Sequence, residues 1–175
     1  DSWISWLSAA DIKTDGDTGK GLWSNAWYAI RKANLGLENM ENLTDATPEQ
    51  RDIIKGQLLF FRAFYHFELM TYWGGMPYID KAFSSADKLD YPRLNCHETA
   101  DRIAQDLREA ADLLPADWDK TATGKLTLGK NQLRVSKITA LGYLGKNYLY
   151  AGSPLLNYES TGNKNFDTEY CRKAA

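Results

Sequence analysis

Residues 47–77 read TPEQRDIIKGQLLFFRAFYHFELMTYWGGMP, and this run decides the fold. Thr47 suits a helix N-cap, Pro48 suits the first helical position because its missing N–H is not needed there, and Glu49 and Gln50 fill the first turn. Ile53, Leu58, Phe61, Phe64, Tyr65, Phe67, Leu69 and Tyr72 then spread apolar character around more than half the circumference. A helix of that kind is expected to lie buried between neighbours. Gly74 and Gly75 predict its end, since glycine takes the left-handed conformation without a Cβ clash, and Pro77 bars re-entry.

Working outward, Leu22 to Met40 places Trp23, Trp27, Ile30, Asn34 and Leu37 on one face at helical steps, with Ala26 and Ala33 alongside. Beyond the glycines, residues 76–95 carry no helical period. A third helix is predicted over about His97 to Leu114, with Ile103, Leu107, Ala110, Ala111 and Leu114 inward and Pro115 as its stop. Its charges Arg102, Asp106, Arg108, Glu109 and Asp112 look like an ordinary solvated face. After a polar turn region, Ala116 to Lys130, a fourth helix is predicted over about Leu133 to Ala151. Its inward face reads Val135, Ile138, Leu141, Leu144, Tyr148 and Leu149. Gly142 and Gly145, each costly in a helix, point to close packing on a partner.

The predicted class is therefore all-α: antiparallel helical hairpins in a tetratricopeptide-like solenoid with long loops. The chain reads as one helical region over 1–175 and as a fragment of a longer protein. Residues 1–20 form a loop-rich segment, 21–73 a first hairpin, 74–95 a connector, 96–152 a second hairpin, and 153–175 a loop with the start of a further helix.

Function is bounded mostly by what the sequence excludes. A formal charge of -2 gives no basic face, which argues against nucleic acid. Cys96 and Cys171 form no CxxC pair, so neither a disulfide framework nor a metal site is expected, and no cofactor is implied. His66 and His97, the two histidines, lack the spacing of a zinc protease helix, and no nucleophile–base pair is legible. No catalytic residue is assigned. The six Trp, ten Tyr and six Phe stand out, because rings not used in the core offer stacking surfaces. Loops on a rigid scaffold carry binding groups disproportionately. Trp3, Trp6 and Trp23 are therefore the candidate ligand platforms, with Asp11, Asp15 and Asp17 as hydroxyl partners.

Four stretches in order resemble a known family. They are Trp27 to Asn34, with its Ile-Arg-x-Ala-Asn core; Phe61 to Phe67 followed by Tyr72 to Tyr78; Ile103 to Ala110 closed by Leu113-Leu114-Pro115; and Val135 to Ala151. Together they resemble the SusD/RagB family of surface lipoproteins, over about Leu22 to Leu156. The family pattern marks Arg31, Asn34, Arg62, Gly74, Gly75 and Pro77 as structural motif positions. Arg62 among phenylalanines needs a buried acceptor, and Asn34 on an apolar face is expected to bond a loop backbone. The resemblance implies oligosaccharide or polysaccharide capture at the extracellular face of the outer membrane. It also implies a SusC-like TonB-dependent transporter as partner, and membrane contact only through an N-terminal lipid anchor outside this chain. The competing reading is a helical-repeat protein–protein interaction scaffold without sugar binding; a helical glycosidase is a more distant third.

Overall fold

The computed structural model describes residues 21–84, 86–88 and 90–175, and every regular element among them is helical. The main helices are α1 (Leu22–Glu38), α2 (Pro48–Trp73), α3 (Cys96–Leu113), α4 (Ala122–Lys125), α5 (Lys137–Ala151), α6 (Pro154–Thr161) and α7 (Thr168–Ala174). Helix α2 packs between α1 and α3, α3 also packs on α5, and α7 closes against α5. The all-α class and the antiparallel arrangement are as the sequence predicts.

The helix starts are chemically explicit. Thr47 Oγ1 accepts from Gln50 N at 3.2 Å while Gln50 Oε1 accepts from Thr47 N at 2.9 Å, a reciprocal box that satisfies two otherwise orphaned donors. Asn95 and Glu98 repeat the device on α3, at 2.8 and 2.9 Å. At the far end of α2, Gly74 is itself the capping residue, with φ 74° and ψ -154°. The positive φ agrees with the sequence, but this ψ lies outside the left-handed helical well, in a region that essentially only glycine uses.

The central core lies between α2, α3 and α5, around Phe60, Phe67, Met70, Ile103, Leu107 and Tyr148. A smaller cluster of Ala26, Ile30, Leu69 and Met76 joins α1 to the end of α2, with Trp23, Trp27 and Trp73 packed on it.

Several details depart from the sequence reading. Helix α5 starts at Lys137, where Ser136 caps it, and Leu133 is fully exposed. The buried face of α5 is Ala140, Asn147, Tyr148 and Ala151, whereas Ile138, Leu141 and Leu149 are exposed. A methyl group added at Gly142 would meet nothing within 4 Å, so it is not a packing glycine; one added at Gly145 would approach the Ala174 carbonyl, at 3.3 Å. Two of the apolar residues read along α2, Phe61 and Tyr72, are exposed rather than packed against a neighbour. The polar turn region after α3 contains a buried ring, Trp118, whose Nε1 donates to Val135 O at 2.9 Å.

The largest correction concerns Asp106. It is buried, not solvated, and receives Arg62 in a two-pronged ion pair, Nε to Oδ2 at 2.6 Å and Nη2 to Oδ1 at 2.8 Å. Both charges lie on the inner sides of α2 and α3, where a fork-to-carboxylate match satisfies more lone pairs than a point contact would.

Candidate functional site

The family-motif residues converge on the connector after α2, and they hold its backbone. Arg31 donates to the Phe83 carbonyl. Asn34 Nδ2 donates to Ile79 O and Lys81 O, both at 3.0 Å, and its Oδ1 accepts from Arg62 Nη1 at 3.0 Å. Arg62 Nη1 also reaches Asp80 O at 3.2 Å. The expected acceptor for Arg62 and loop bond for Asn34 are thus both present. Gly75 is buried where a Cβ would lie 2.2 Å from Leu94 O, so the glycine permits two backbones to touch. Half-buried Pro77 lies between buried Met76 and Tyr78 as the chain leaves the glycines.

His66 completes this clamp. Its Nε2 accepts from Ile79 N at 3.1 Å, which leaves Nδ1 as the protonated nitrogen, donating to Arg62 O at 2.8 Å. The ring stacks on Tyr78 at 4.0 Å, and Tyr78 donates from its hydroxyl to Asp106 Oδ2 at 2.6 Å. Full burial, aided by the nearby Arg62 charge, pulls the His66 pKa down to about 3. Burial and the Asp106 charge push the Tyr78 hydroxyl well above its ordinary range. For Arg62, burial opposes the charge, but the Asp106 hydrogen bond and carboxylate outweigh it and the pKa is raised.

The His66 shift has a definite sign. The folded state keeps the imidazole neutral while the unfolded chain takes up a proton below about pH 6.5, so stability falls as pH drops from 6.5 toward 3. The slope approaches about 1.4 kcal/mol per pH unit for one proton. Urea titrations at pH 7 and 4.5 should show this loss. A His66→Gln variant should be less stable at pH 7 yet lose less between the two pH values. An equal loss in both proteins would show that His66 does not carry the effect.

This network is spent on the connector's backbone. An open surface lies along the first hairpin, which residues 1–20 precede in the chain. There Trp23 sits edge-on to Trp27 and Trp73, with ring centroids 5.5 and 5.0 Å away, and is half-buried. Trp3, Trp6, Asp11, Asp15 and Asp17 lie outside the described residues. One helical turn further along, Asn25, Tyr28 and Lys32 of α1 face Phe61 and Tyr65 of α2 across an open groove of ≈ 690 Å³. Tyr28 is 62% exposed and Phe61 40%, and the Lys32 ammonium stands 5.2 Å from the Tyr28 ring. Flat rings beside an amide and an ammonium can take the C–H face of a sugar and bond its hydroxyls. Sequence reasoning alone misses this groove. Its signal is the i, i+3, i+7 spacing of Asn25, Tyr28 and Lys32, on the arc of α1 opposite the buried Ile30 and Asn34.

Among the described residues no cluster of His, Cys, Asp and Glu has metal-binding geometry, and no helix is long and apolar enough to cross a membrane.

Residues 1–149 match a family model described as starch-binding, associating with the outer membrane, and of the SusD-like type. A SusD-like protein, P2, from Formosa agariphila is 30% identical over 131 residues, covering 74% of this chain and 24% of its own length. A laminarin-binding SusD-like protein superposes with a TM-score of 0.64 at 24% identity, over 81% of this chain and 29% of that one. Surface glycan-binding protein A from Bacteroides uniformis gives the same TM-score at 22% identity, over 81% and 30%. These structural likenesses establish the shared helical fold. The chain spans about a quarter of the length of the curated relatives it matches.

Proposed function

The chain belongs to the SusD-like family of starch-binding proteins associated with the outer membrane, and from that premise we propose that it takes part in glycan capture at the cell surface. The captured oligosaccharide passes to a SusC-like TonB-dependent transporter, and an N-terminal lipid anchor outside this sequence holds the protein at the extracellular face. The observation that carries this reading is the family match over residues 1–149. The relatives named for laminarin and surface-glycan binding support the ligand class, and the ring-lined groove between α1 and α2 supplies a physical means. Within this chain the proposed contacts are Tyr28 and Phe61 as platforms, with Trp23 at the start of α1 and Trp3, Trp6, Asp11, Asp15 and Asp17 from the segment before it.

Isothermal titration of the full chain with soluble laminarin and starch oligosaccharides tests the capture step. Tyr28→Ala should weaken binding roughly tenfold, the scale of a lost stacking contact, and leave the melting temperature nearly unchanged because the ring is mostly exposed. Trp23→Ala should lower stability as well, since the ring packs on Trp27 and Trp73. Binding that survives both substitutions would remove the groove and its edge from the ligand site.

The transporter step is tested by purifying the protein from outer membranes in mild detergent. A TonB-dependent transporter should co-purify in a fixed ratio. Recovery of the protein alone, with the transporter expressed, would favour the reading as a helical scaffold for other partners.

A further inference from the structure

The connector builds a second groove, against the start of α3 rather than between α1 and α2. Its volume is ≈ 490 Å³, within the roughly 300–1,000 Å³ range of small-ligand clefts. We propose that this groove is a separate sugar subsite selective for uncharged glycans. The proposal rests on the glycan-capture reading above.

The groove is built from fixed parts. Its floor is Tyr78, pinned by the hydroxyl bond to Asp106 and by stacking on His66. One wall is Tyr91 with Pro92, the tyrosine held edge-on against Phe83 with centroids 5.2 Å apart. The other wall is an ion pair, Arg102 Nη2 to Asp80 Oδ2 at 2.6 Å, with the guanidinium 5.3 Å from the Tyr78 ring. Asp80 is positioned in turn by the Arg62 bond to its carbonyl. The rim carries Glu98 and Asp101, each already oriented: Glu98 by the α3 capping box, and Asp101 by the Tyr170 hydroxyl at 3.0 Å.

A sugar hydroxyl both donates and accepts, and this wall offers the matching pair. A carboxylate oxygen takes the hydroxyl proton, while the neighbouring guanidinium N–H meets the hydroxyl oxygen. The half-buried Tyr91 ring gives a face for the C–H side of a pyranose. Charge then sets selectivity. Three carboxylates (Asp80, Glu98, Asp101) stand against one guanidinium (Arg102). The two cations next to the lining residues in sequence are both engaged: Arg93 with the Gly75 and Trp73 carbonyls, and Lys81, whose ammonium lies near Tyr91, with Asp87 Oδ1 at 3.1 Å, a pair that adds no net charge. A uronate or sulfated chain would place like charge against this rim, whereas a neutral glycan would not.

The test uses the full chain, a laminarin oligosaccharide as neutral probe and an alginate oligosaccharide of equal length as charged probe. In calorimetric titration the wild type should bind the neutral probe and reject the charged one. Tyr91→Ala should weaken neutral binding roughly tenfold while circular dichroism shows the helical fold retained at the titration temperature. Asp101→Asn keeps an acceptor for Tyr170 and should narrow the preference between the two probes. Neutral binding that is unaffected by Tyr91→Ala but lost in Tyr28→Ala would overturn this subsite and leave the capture reading standing. Equal or better binding of the charged probe by the wild type would also overturn it. Failure of the wild type to bind either probe would overturn both.

Discussion

Replacing Asp106 with alanine should destabilise the fold by about 3–5 kcal/mol, the cost of leaving a buried cationic partner uncompensated. The figure follows from what the residue holds. Asp106 takes both prongs of Arg62 and the Tyr78 hydroxyl, so its removal strands a guanidinium and a phenol together in a place largely closed to water. The stranded Arg62 is also the group that bonds Asn34 and the Asp80 carbonyl, so the connector should loosen with it. Urea unfolding monitored by circular dichroism measures the loss. A double variant, Arg62→Met with Asp106→Leu, should recover part of it, because no charge is then left buried. A single Asp106→Ala variant as stable as wild type would show that Arg62 finds another acceptor or reaches solvent.

The second large effect is expected at Gly75. An added methyl would lie 2.2 Å from Leu94 O, 2.5 Å from Asn95 C and 2.8 Å from Asn95 Cα. All three atoms are backbone and cannot swing aside. Asn95 is also the cap of α3, so relief by backbone movement would open the capping box. Gly75→Ala should therefore cost about 3 kcal/mol or more, at or beyond the upper end of ordinary overpacking. Gly74→Ala makes an instructive comparison. Its new methyl would meet nothing closer than Arg93 Nη2 at 3.5 Å, so its penalty is the positive φ alone, about 1–3 kcal/mol. Thermal melts of the two variants decide the matter. If Gly74→Ala proves the more damaging, the close approach at Gly75 is softer than its geometry indicates.

These two sites show where the sequence was legible. The start of α2 was fully readable, because Thr47, Pro48 and Gln50 act within four residues of one another. So was its end, because only glycine tolerates what happens at Gly74. The need of Arg62 for an acceptor was also readable from its apolar neighbours. The acceptor's identity was not, since it lies 44 residues away on another helix and shares a charge pattern with solvated neighbours. Gly75 and Gly74 look alike in sequence yet are required for different reasons, one by contact and one by torsion.

Helix α5 shows the opposite case. Its apolar residues recur on two arcs, Ile138–Leu141–Leu149 and Ala140–Tyr148–Ala151, and periodicity cannot say which arc meets α3. Small residues won because α3 comes close on that side, where Asn147 donates to the Ala100 carbonyl at 2.9 Å. The α1–α2 groove escapes notice for a related reason. Phe61 looks like a core residue until the neighbouring helices are in place, and Tyr28 lies on an arc of α1 that the apolar periodicity leaves unassigned. Of the candidate ligand residues, Trp23 alone falls in the described part of the chain; Trp3, Trp6, Asp11, Asp15 and Asp17 lie outside the described residues.

The clamp on the connector has a consequence for how such a protein can diversify. Arg31, Asn34, Arg62 and His66 grip Ile79, Asp80, Lys81 and Phe83 through the connector's main-chain atoms alone. A carbonyl or N–H is the same whatever side chain it carries. Substitution at exposed connector positions such as Asp80 or Pro92 thus leaves the socket's own bonds in place. The scaffold works as an interchangeable mount: the loop's outward chemistry can change without renegotiating the fold beneath.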